Sequence, residues 1–174
     1  MVATSKETLL LVSVTSRAAL RAWFFAGPAL MTGLYALISS RARQYGLVSF
    51  ATSFGMSLLL FGAISAFTTK SSLREMLPPP ANYLLKKASV RDEDPLILAR
   101  VPVGVAVLVI IAFLVPETAG GMAGIVSALT VVHWAEVASV KRLESKLGVT
   151  YGEPARRETA PYGWYLCPRP ARAH

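Results

Sequence analysis

The 174-residue sequence has few charged residues, one cysteine and two histidines. Asp, Glu, Lys and Arg make up 16% of the chain, whereas soluble domains average about 25%. The single cysteine excludes an internal disulfide and any metal site built from cysteines. With so few nitrogen and sulfur ligands, we expect no metal site.

Groups of residues that could carry out catalysis are equally scarce. We find no set of nucleophile, base and orienting residue. The acidic run at 91–94, "RDED", has the pattern of a helix cap rather than of a calcium loop. The glycines of "GGMAG" at 120–124 lack the preceding strand and the following lysine of a phosphate loop. We therefore predict that the chain is not an enzyme and has no catalytic residues.

Long apolar runs are the main feature of the sequence, which is 53% hydrophobic. A helix rises about 1.5 Å per residue, so each of four runs can cross a hydrocarbon core of about 30 Å. We predict an all-α integral membrane protein whose membrane domain spans residues 18–140. Its four transmembrane helices are expected at about 18–39, 46–68, 95–115 and 118–140.

Three more polar parts flank or interrupt the apolar runs. In residues 1–17, Thr4 and Glu7 have capping-box spacing, which predicts an amphipathic N-terminal helix. Residues 69–94 form a polar interlude with three consecutive prolines, and we expect short surface helices there, one of them over "ANYLLKKASV". Residues 141–174 are rich in proline, glycine and arginine, and we expect an extended tail without a core of its own.

Basic residues border the apolar runs and give the chain a net charge of +8. No nucleic-acid-binding motif accompanies this charge, so we expect phospholipid headgroups, such as that of cardiolipin, to be the partners rather than nucleic acid. For Arg21 and Arg100, which lie inside apolar runs, we favour extension of the side chain to the interface, and a headgroup contact is the functional alternative. The predicted headgroup contacts are Arg17, Arg21, Lys86, Lys87, Arg100, Lys141 and Arg142.

The fourth apolar run contains a series of small residues. Gly120, Gly124 and Ala128 lie four residues apart, and Ala135 returns to the same side of a helix. Small residues at this spacing let two membrane helices approach closely. We predict that these four residues form a helix-packing seam.

The same run ends in "VVHWAEVASVKR", which places His133 and Glu136 on one face of a helix. Ionisable residues inside a membrane segment mark functional sites by default. A structural polar contact with a neighbouring subunit is the interpretation we favour, because Glu136 lies only five residues before Lys141 and can reach the headgroups. A quinone contact or a proton relay is a weaker alternative. A haem held by two histidines is disfavoured, because the only other histidine is His174.

The predicted tail carries large aromatic residues, which are common anchors of protein interfaces. We predict that they dock the tail onto a partner subunit. The residues are Tyr151, Tyr162, Trp164 and Tyr165.

The N-terminus, "MVATSKETLLLVSVTSRAALRAW", is poor in acidic residues and contains Ser, Thr, Lys and Arg, as organelle-targeting segments do. We expect an uncleaved, multi-pass protein of the mitochondrial inner membrane. Four crossings put both termini on one side. The loop at 40–45 holds two basic residues and the opposite side holds sixteen, so the positive-inside rule, taken alone, places the termini in the matrix or cytoplasm.

The stretches "SVRDEDPLILARVPVG" at 89–104 and "GGMAGIVSAL" at 120–129 resemble a mitochondrial family. It comprises the accessory complex I subunit related to the inner-membrane Tim-type translocase channels. The resemblance implies four membrane helices, small-residue seams, termini in the intermembrane space and a non-catalytic role in buttressing the membrane arm and binding lipid. The chain departs from the family in its sparse glycines and in an insertion with three prolines.

These observations predict a non-catalytic accessory subunit of a mitochondrial energy-converting complex. Complex I is the leading parent, and ATP synthase, complex III and complex IV are the alternatives. A membrane anchor that binds haem or quinone for a redox enzyme is a second hypothesis. Solute transport or protein translocation ranks last, because the second and third runs offer only Ser, Thr and Gly at mid-depth.

Overall fold

The computed structural model describes residues 7–74, 83–88, 95–155 and 164–168. Four long helices dominate these residues, which confirms the prediction of a mostly helical chain. A four-stranded sheet is also present, so the all-α prediction is wrong. The elements in chain order are β1 (Glu7–Ser13), α1 (Val14–Ile38), α2 (Ser40–Arg74), β2 (Tyr83–Ala88), α3 (Pro95–Leu114), a single 3-10 turn (Pro116–Thr118), α4 (Ala119–Leu147), β3 (Val149–Pro154) and β4 (Tyr165–Pro168).

The four helices alternate in direction along the chain, and α4 packs against both α1 and α2. Helix α1 ends at Ile38 and α2 begins at Ser40, so the chain reverses through one residue. The backbone N–H of that residue, Ser39, donates a 2.9 Å hydrogen bond to the backbone carbonyl oxygen of Tyr35. Gly120 lies against Gly46 and Gly124 against Phe50, so α2 and α4 run parallel to each other.

The sheet has the strand order β2-β1-β3-β4. Strand β1 is parallel to β2, with Leu9 opposite Leu85, and antiparallel to β3, with Leu11 opposite Pro154. Strands β3 and β4 are also antiparallel. The strands come from both ends of the chain and from residues 69–94, and the sheet brings these segments together at one end of the helices.

Two predicted surface helices are in fact strands. The N-terminal segment contains β1, and "ANYLLKKASV" contains β2. The capping-box spacing is a local signal, whereas Leu9 and Leu11 are buried by pairing with distant strands. Tertiary pairing and burial outweigh the local preference of such Leu- and Val-rich segments.

The tail shares a core with the helices. Tyr151 of β3 and Trp164 pack with Val14 of α1 and Val140 of α4 in one buried cluster. Their rings are 5.6 Å apart and tilted by 41°. Val149 and Leu166 of the tail also pack against this cluster, together with Leu73 and Leu143 of the helices.

Two segments are long and apolar enough to cross a membrane by length and composition. They are Gly46–Arg74 and Pro116–Leu147, with mean hydropathies of 1.9 and 1.5 in their most apolar windows. The apolar segment Pro102–Leu114 of α3 is shorter. Two candidate membrane helices among the described residues are therefore shown, and four crossings are not.

Candidate functional site

The His133–Glu136 pair makes its contacts within this chain. The His133 ring nitrogen Nδ1 lies 3.2 Å from Glu136 Oε2, and both side chains are largely covered. Phe25 of α1 stacks on the His133 ring with centroids 5.5 Å apart and planes within 9°. The pair thus joins α4 to α1. The predicted contact to a neighbouring subunit is not needed to give His133 a partner, because Phe25 of α1 and Glu136 of the next helical turn already contact its ring.

A pair of tryptophans adjoins the histidine. Trp23 of α1 meets Trp134 of α4 edge to face, with ring centroids 5.8 Å apart at 82°. Both rings remain exposed, by 67% and 39% respectively. The two rings therefore add a second aromatic contact between α1 and α4, beside the stack of Phe25 on His133.

The predicted seam lies where α2 and α4 come closest. A Cβ atom added to Gly120 would lie 2.7 Å from the Cα of Gly46, and one added to Gly124 would lie 2.6 Å from the carbonyl oxygen of Phe50. No larger side chain fits at either position without moving the backbone. Ala128 is fully buried. The fourth predicted member, Ala135, is exposed and lines a groove between α2 and α4.

Arg17 ties α1 to the sheet rather than to a lipid headgroup, so that prediction is wrong. Its side chain is 4% exposed, and its guanidinium forms an ion pair with Glu153 of β3. Nη2 also donates a 3.3 Å hydrogen bond to the Pro154 carbonyl. The other Glu153 oxygen accepts a 2.7 Å hydrogen bond from the Trp164 indole N–H. The sequence gives no local signal for this network because Arg17 and Glu153 are 136 residues apart.

A second buried carboxylate holds the opposite end of β3. Helix α4 ends at Leu147, and the following Gly148 has a φ of 65° that lets the chain reverse. Glu144 then accepts a 2.9 Å hydrogen bond from the backbone N–H of Tyr151. Burial, and secondarily the nearby Glu144 charge, raise the pKa of the Tyr151 hydroxyl above its usual value of 10.0. That hydroxyl is buried without a hydrogen-bond partner among the described residues.

The aromatic residues predicted to dock a partner are mostly part of this core. Tyr151, Trp164 and Tyr165 are 1%, 5% and 0% exposed. They are therefore not available as anchors on a partner surface, and that prediction is wrong for these three. Tyr162 lies outside the described residues.

The remaining basic residues differ in environment. Lys141 and Arg142 are exposed near the end of α4, and Arg21 is half-buried on α1. Lys86 and Lys87 lie on β2 and Arg100 lies on α3, but their side chains fall outside the part of the chain that the structure describes. The exposed cations that are described thus lie at the sheet end of the helices.

Two cavities adjoin α2 and α4, and neither was predicted. One, of about 370 Å³, lies beside the glycine seam, far along α4 from His133. Its lining is apolar and includes Gly33, Leu34, Phe50 and Ala123. The other, of about 440 Å³, lies toward the sheet end and includes Lys70. Sequence reasoning missed Lys70 because a groove between two helices depends on their packing, which the sequence does not show.

None of the protein-family models, curated proteins or solved structures compared with the chain matches it. The resemblance to the complex I accessory family therefore stays a prediction.

Proposed function

We propose that the chain is a membrane-embedded, non-catalytic accessory subunit of a mitochondrial inner-membrane energy-converting complex, with complex I the leading candidate. In this role its helices pack against lipid and neighbouring membrane helices, and its sheet rests on one face of the membrane.

The exposed apolar surface of α2 is the observation that carries the proposal. Only 6% of its most apolar window is buried inside the protein. Large side chains along it, including Leu47, Leu59 and Phe67, are at least 75% exposed. Soluble monomers rarely expose so continuous an apolar surface, and lipid or another membrane helix is the environment that it requires.

The internal use of ionisable groups supports a structural role. His133 pairs with Glu136, and Arg17 with Glu153. Glu144 accepts a hydrogen bond from the β3 backbone. These groups hold α1, α4 and the sheet together, and their contacts lie within the fold rather than toward a substrate.

Four crossings follow if α1 and α3 also enter the membrane. Exposed apolar side chains on both helices, such as Leu34, Ile38, Ile110 and Leu114, support this. The alternating direction of the helices then places the whole sheet on one side of the membrane.

The mitochondrial assignment is supported by the acid-poor N-terminal sequence and by the resemblance at 89–104 and 120–129. Helix α3 begins at Pro95, directly after the charged "RDED" stretch that contributes to the resemblance. ATP synthase, complex III and complex IV remain the alternative parents.

Replacing the native chain in cells with one that ends at Gly148 tests the proposal, because it removes β3 and β4. We expect less assembled parent complex, while the turnover of each complex that does assemble stays near normal. A Ser145→Ala chain, which alters an exposed residue of α4 outside the predicted headgroup contacts, is the control and should assemble normally. Normal assembly without β3 and β4, or loss of turnover in assembled complexes, would contradict a structural role.

A further inference from the structure

The groove of about 440 Å³ between α2 and α4 opens at the sheet end of the bundle. Leu73, at the end of the groove nearer the sheet, packs against the buried cluster that contains Tyr151 and Trp164. At the opposite end of the same two helices, Gly120 and Gly124 bring the backbones into contact. The helices therefore touch at one end, and the groove occupies the space between them at the other.

Small side chains keep this groove open. On α2 the lining contains Gly62, Ser65 and Ala66, and on α4 it contains Ala135 and Ser139. None of these residues is long enough to cross the space. A Cβ atom added to Gly62 would meet no atom within 4 Å. The groove thus has room for a narrow molecule along its length.

The lining changes from apolar to polar along the helix axes. Leu58, Val131 and Val132 line the inner end, and Thr69 and Lys70 line the end that faces the sheet. Leu58 and Lys70 are separated by about 18 Å at the helical rise. One leaflet of hydrocarbon is about 15 Å thick. The groove is therefore as long as one leaflet and amphipathic in the same sense as a lipid.

Charge at the polar end favours a phosphate. Lys70 is exposed at the mouth, and Arg74, Lys141 and Arg142 are exposed on the neighbouring turns of α2 and α4. Glu136 also lines the groove, but its carboxylate lies 3.2 Å from the His133 ring. The net charge around the mouth is thus positive, as an anionic headgroup requires.

The volume of the groove distinguishes a lipid chain from a partner helix as its occupant. A helix about 10 Å across occupies about 1,400 Å³ over 18 Å of length. The groove volume of about 440 Å³ is roughly a third of that, which favours a narrower occupant than a helix. An extended acyl chain is less than half as wide and fits.

We infer that the α2–α4 groove binds one acyl chain of a glycerophospholipid and that Lys70 holds its phosphate. The inference rests on the membrane embedding in the proposed function. It adds a defined lipid site, with its headgroup and chain contacts assigned to residues.

Photo-crosslinking of the full-length chain in phosphatidylcholine vesicles tests the site. The probe is a phosphatidylglycerol with a photoactivatable group near the end of one acyl chain. We expect crosslinks to peptides around Leu58 and Val131. Gly62→Leu fills the groove with a side chain where a Cβ meets no atom, and should lower the yield by more than about tenfold. Gly55→Leu, which also meets no atom but lies outside the groove lining, should leave the yield unchanged.

A separate part of the experiment tests the headgroup contact. Lys70→Gln should lower crosslinking by the phosphatidylglycerol probe about fivefold and leave crosslinking by a diacylglycerol probe unchanged. Equal yields from wild type and Gly62→Leu would overturn the site. Equal effects of Lys70→Gln on both probes would overturn the phosphate contact. A chain that fails to insert into the vesicles contradicts the proposed function as well, whereas one that inserts without groove crosslinks contradicts this inference alone.

Discussion

The guanidinium of Arg17, one turn into α1, forms a buried ion pair with the carboxylate of Glu153 on β3. The same carboxylate accepts the indole N–H of Trp164. This carboxylate therefore joins α1 to a part of the chain 136 residues away, and to Trp164, 11 residues further on. This contact joins the sheet to the first helix, so the sheet and the helices form one folded unit.

Replacing Glu153 with alanine should destabilise the protein by about 3–5 kcal/mol, because the Arg17 charge is left buried without its carboxylate. The free energy of unfolding in detergent measures this loss. Limited proteolysis should cleave the segment after Gly148 first in the variant. Arg142→Ala removes an exposed charge and should change the stability by less than about 0.5 kcal/mol. Equal stabilities of the two variants would show that the ion pair does not hold the sheet.

Gly124→Ala should destabilise the α2–α4 contact by about 1–3 kcal/mol, because the new methyl group would lie 2.6 Å from the Phe50 carbonyl oxygen. Gly55→Ala is the matched control, since its Cβ would meet no atom within 4 Å. It should be neutral or stabilise its helix by up to about 1 kcal/mol. Thermal unfolding of both variants in the same detergent compares them, and a Gly124→Ala variant as stable as wild type would contradict the close approach.

Alkaline pH should loosen the sheet end of the protein. The pKa of Tyr151 is raised in the fold, so the unfolded chain ionises first, at about pH 10. The stability is fully present below that pH and falls as the pH rises toward the folded-state pKa. Tryptophan fluorescence of Trp164, which packs on Tyr151, followed from pH 9 to 12 measures the change.

The Tyr151→Phe variant tests whether the Tyr151 hydroxyl causes this effect. It should remove the part of the stability loss at alkaline pH that ionisation of Tyr151 causes. Because the Tyr151 hydroxyl has no hydrogen-bond partner among the described residues, the substitution should cost little at neutral pH or stabilise by up to about 1 kcal/mol. An unchanged alkaline transition in Tyr151→Phe would assign the loss to another group.

His133→Ala should lower stability by about 1–2 kcal/mol, because it removes the stack on Phe25 and the contact with Glu136. His133→Phe keeps an aromatic ring against Phe25 and should lose less. The absorbance spectrum of the purified parent complex should be the same with either substitution. Loss of a b-type haem signal in His133→Ala would favour the redox-anchor hypothesis instead.

Helix content and the bounds of α3 could be predicted from the sequence because they depend on local patterns, whereas α2 and α4 extend six and seven residues past their predicted ends. Pro95 after an acidic cap marks the start of α3, and the four-residue spacing of Gly120 and Gly124 indicates a packing face. The sheet could not be predicted in this way. Its strands come from segments up to about 150 residues apart, and each is too short to show a clear alternation by itself.

The candidate site shows the same division. The His133–Glu136 contact follows from helical spacing, but the Phe25 ring that covers His133 comes from another helix. Arg17 was assigned to lipid because a sequence shows the flanking charge and not the distant carboxylate. Lys70 was missed because a groove depends on how two helices diverge.

The central claim is that this chain is a membrane-embedded subunit of a larger inner-membrane complex. Purification of the tagged full-length chain from carbonate-washed membranes in a mild detergent, followed by native electrophoresis and identification of the co-purifying chains, tests it most directly. We predict that the chain remains with the membranes and migrates with the subunits of a respiratory complex, complex I first. Recovery of the chain in the soluble fraction, or alone at its own mass, would contradict the account.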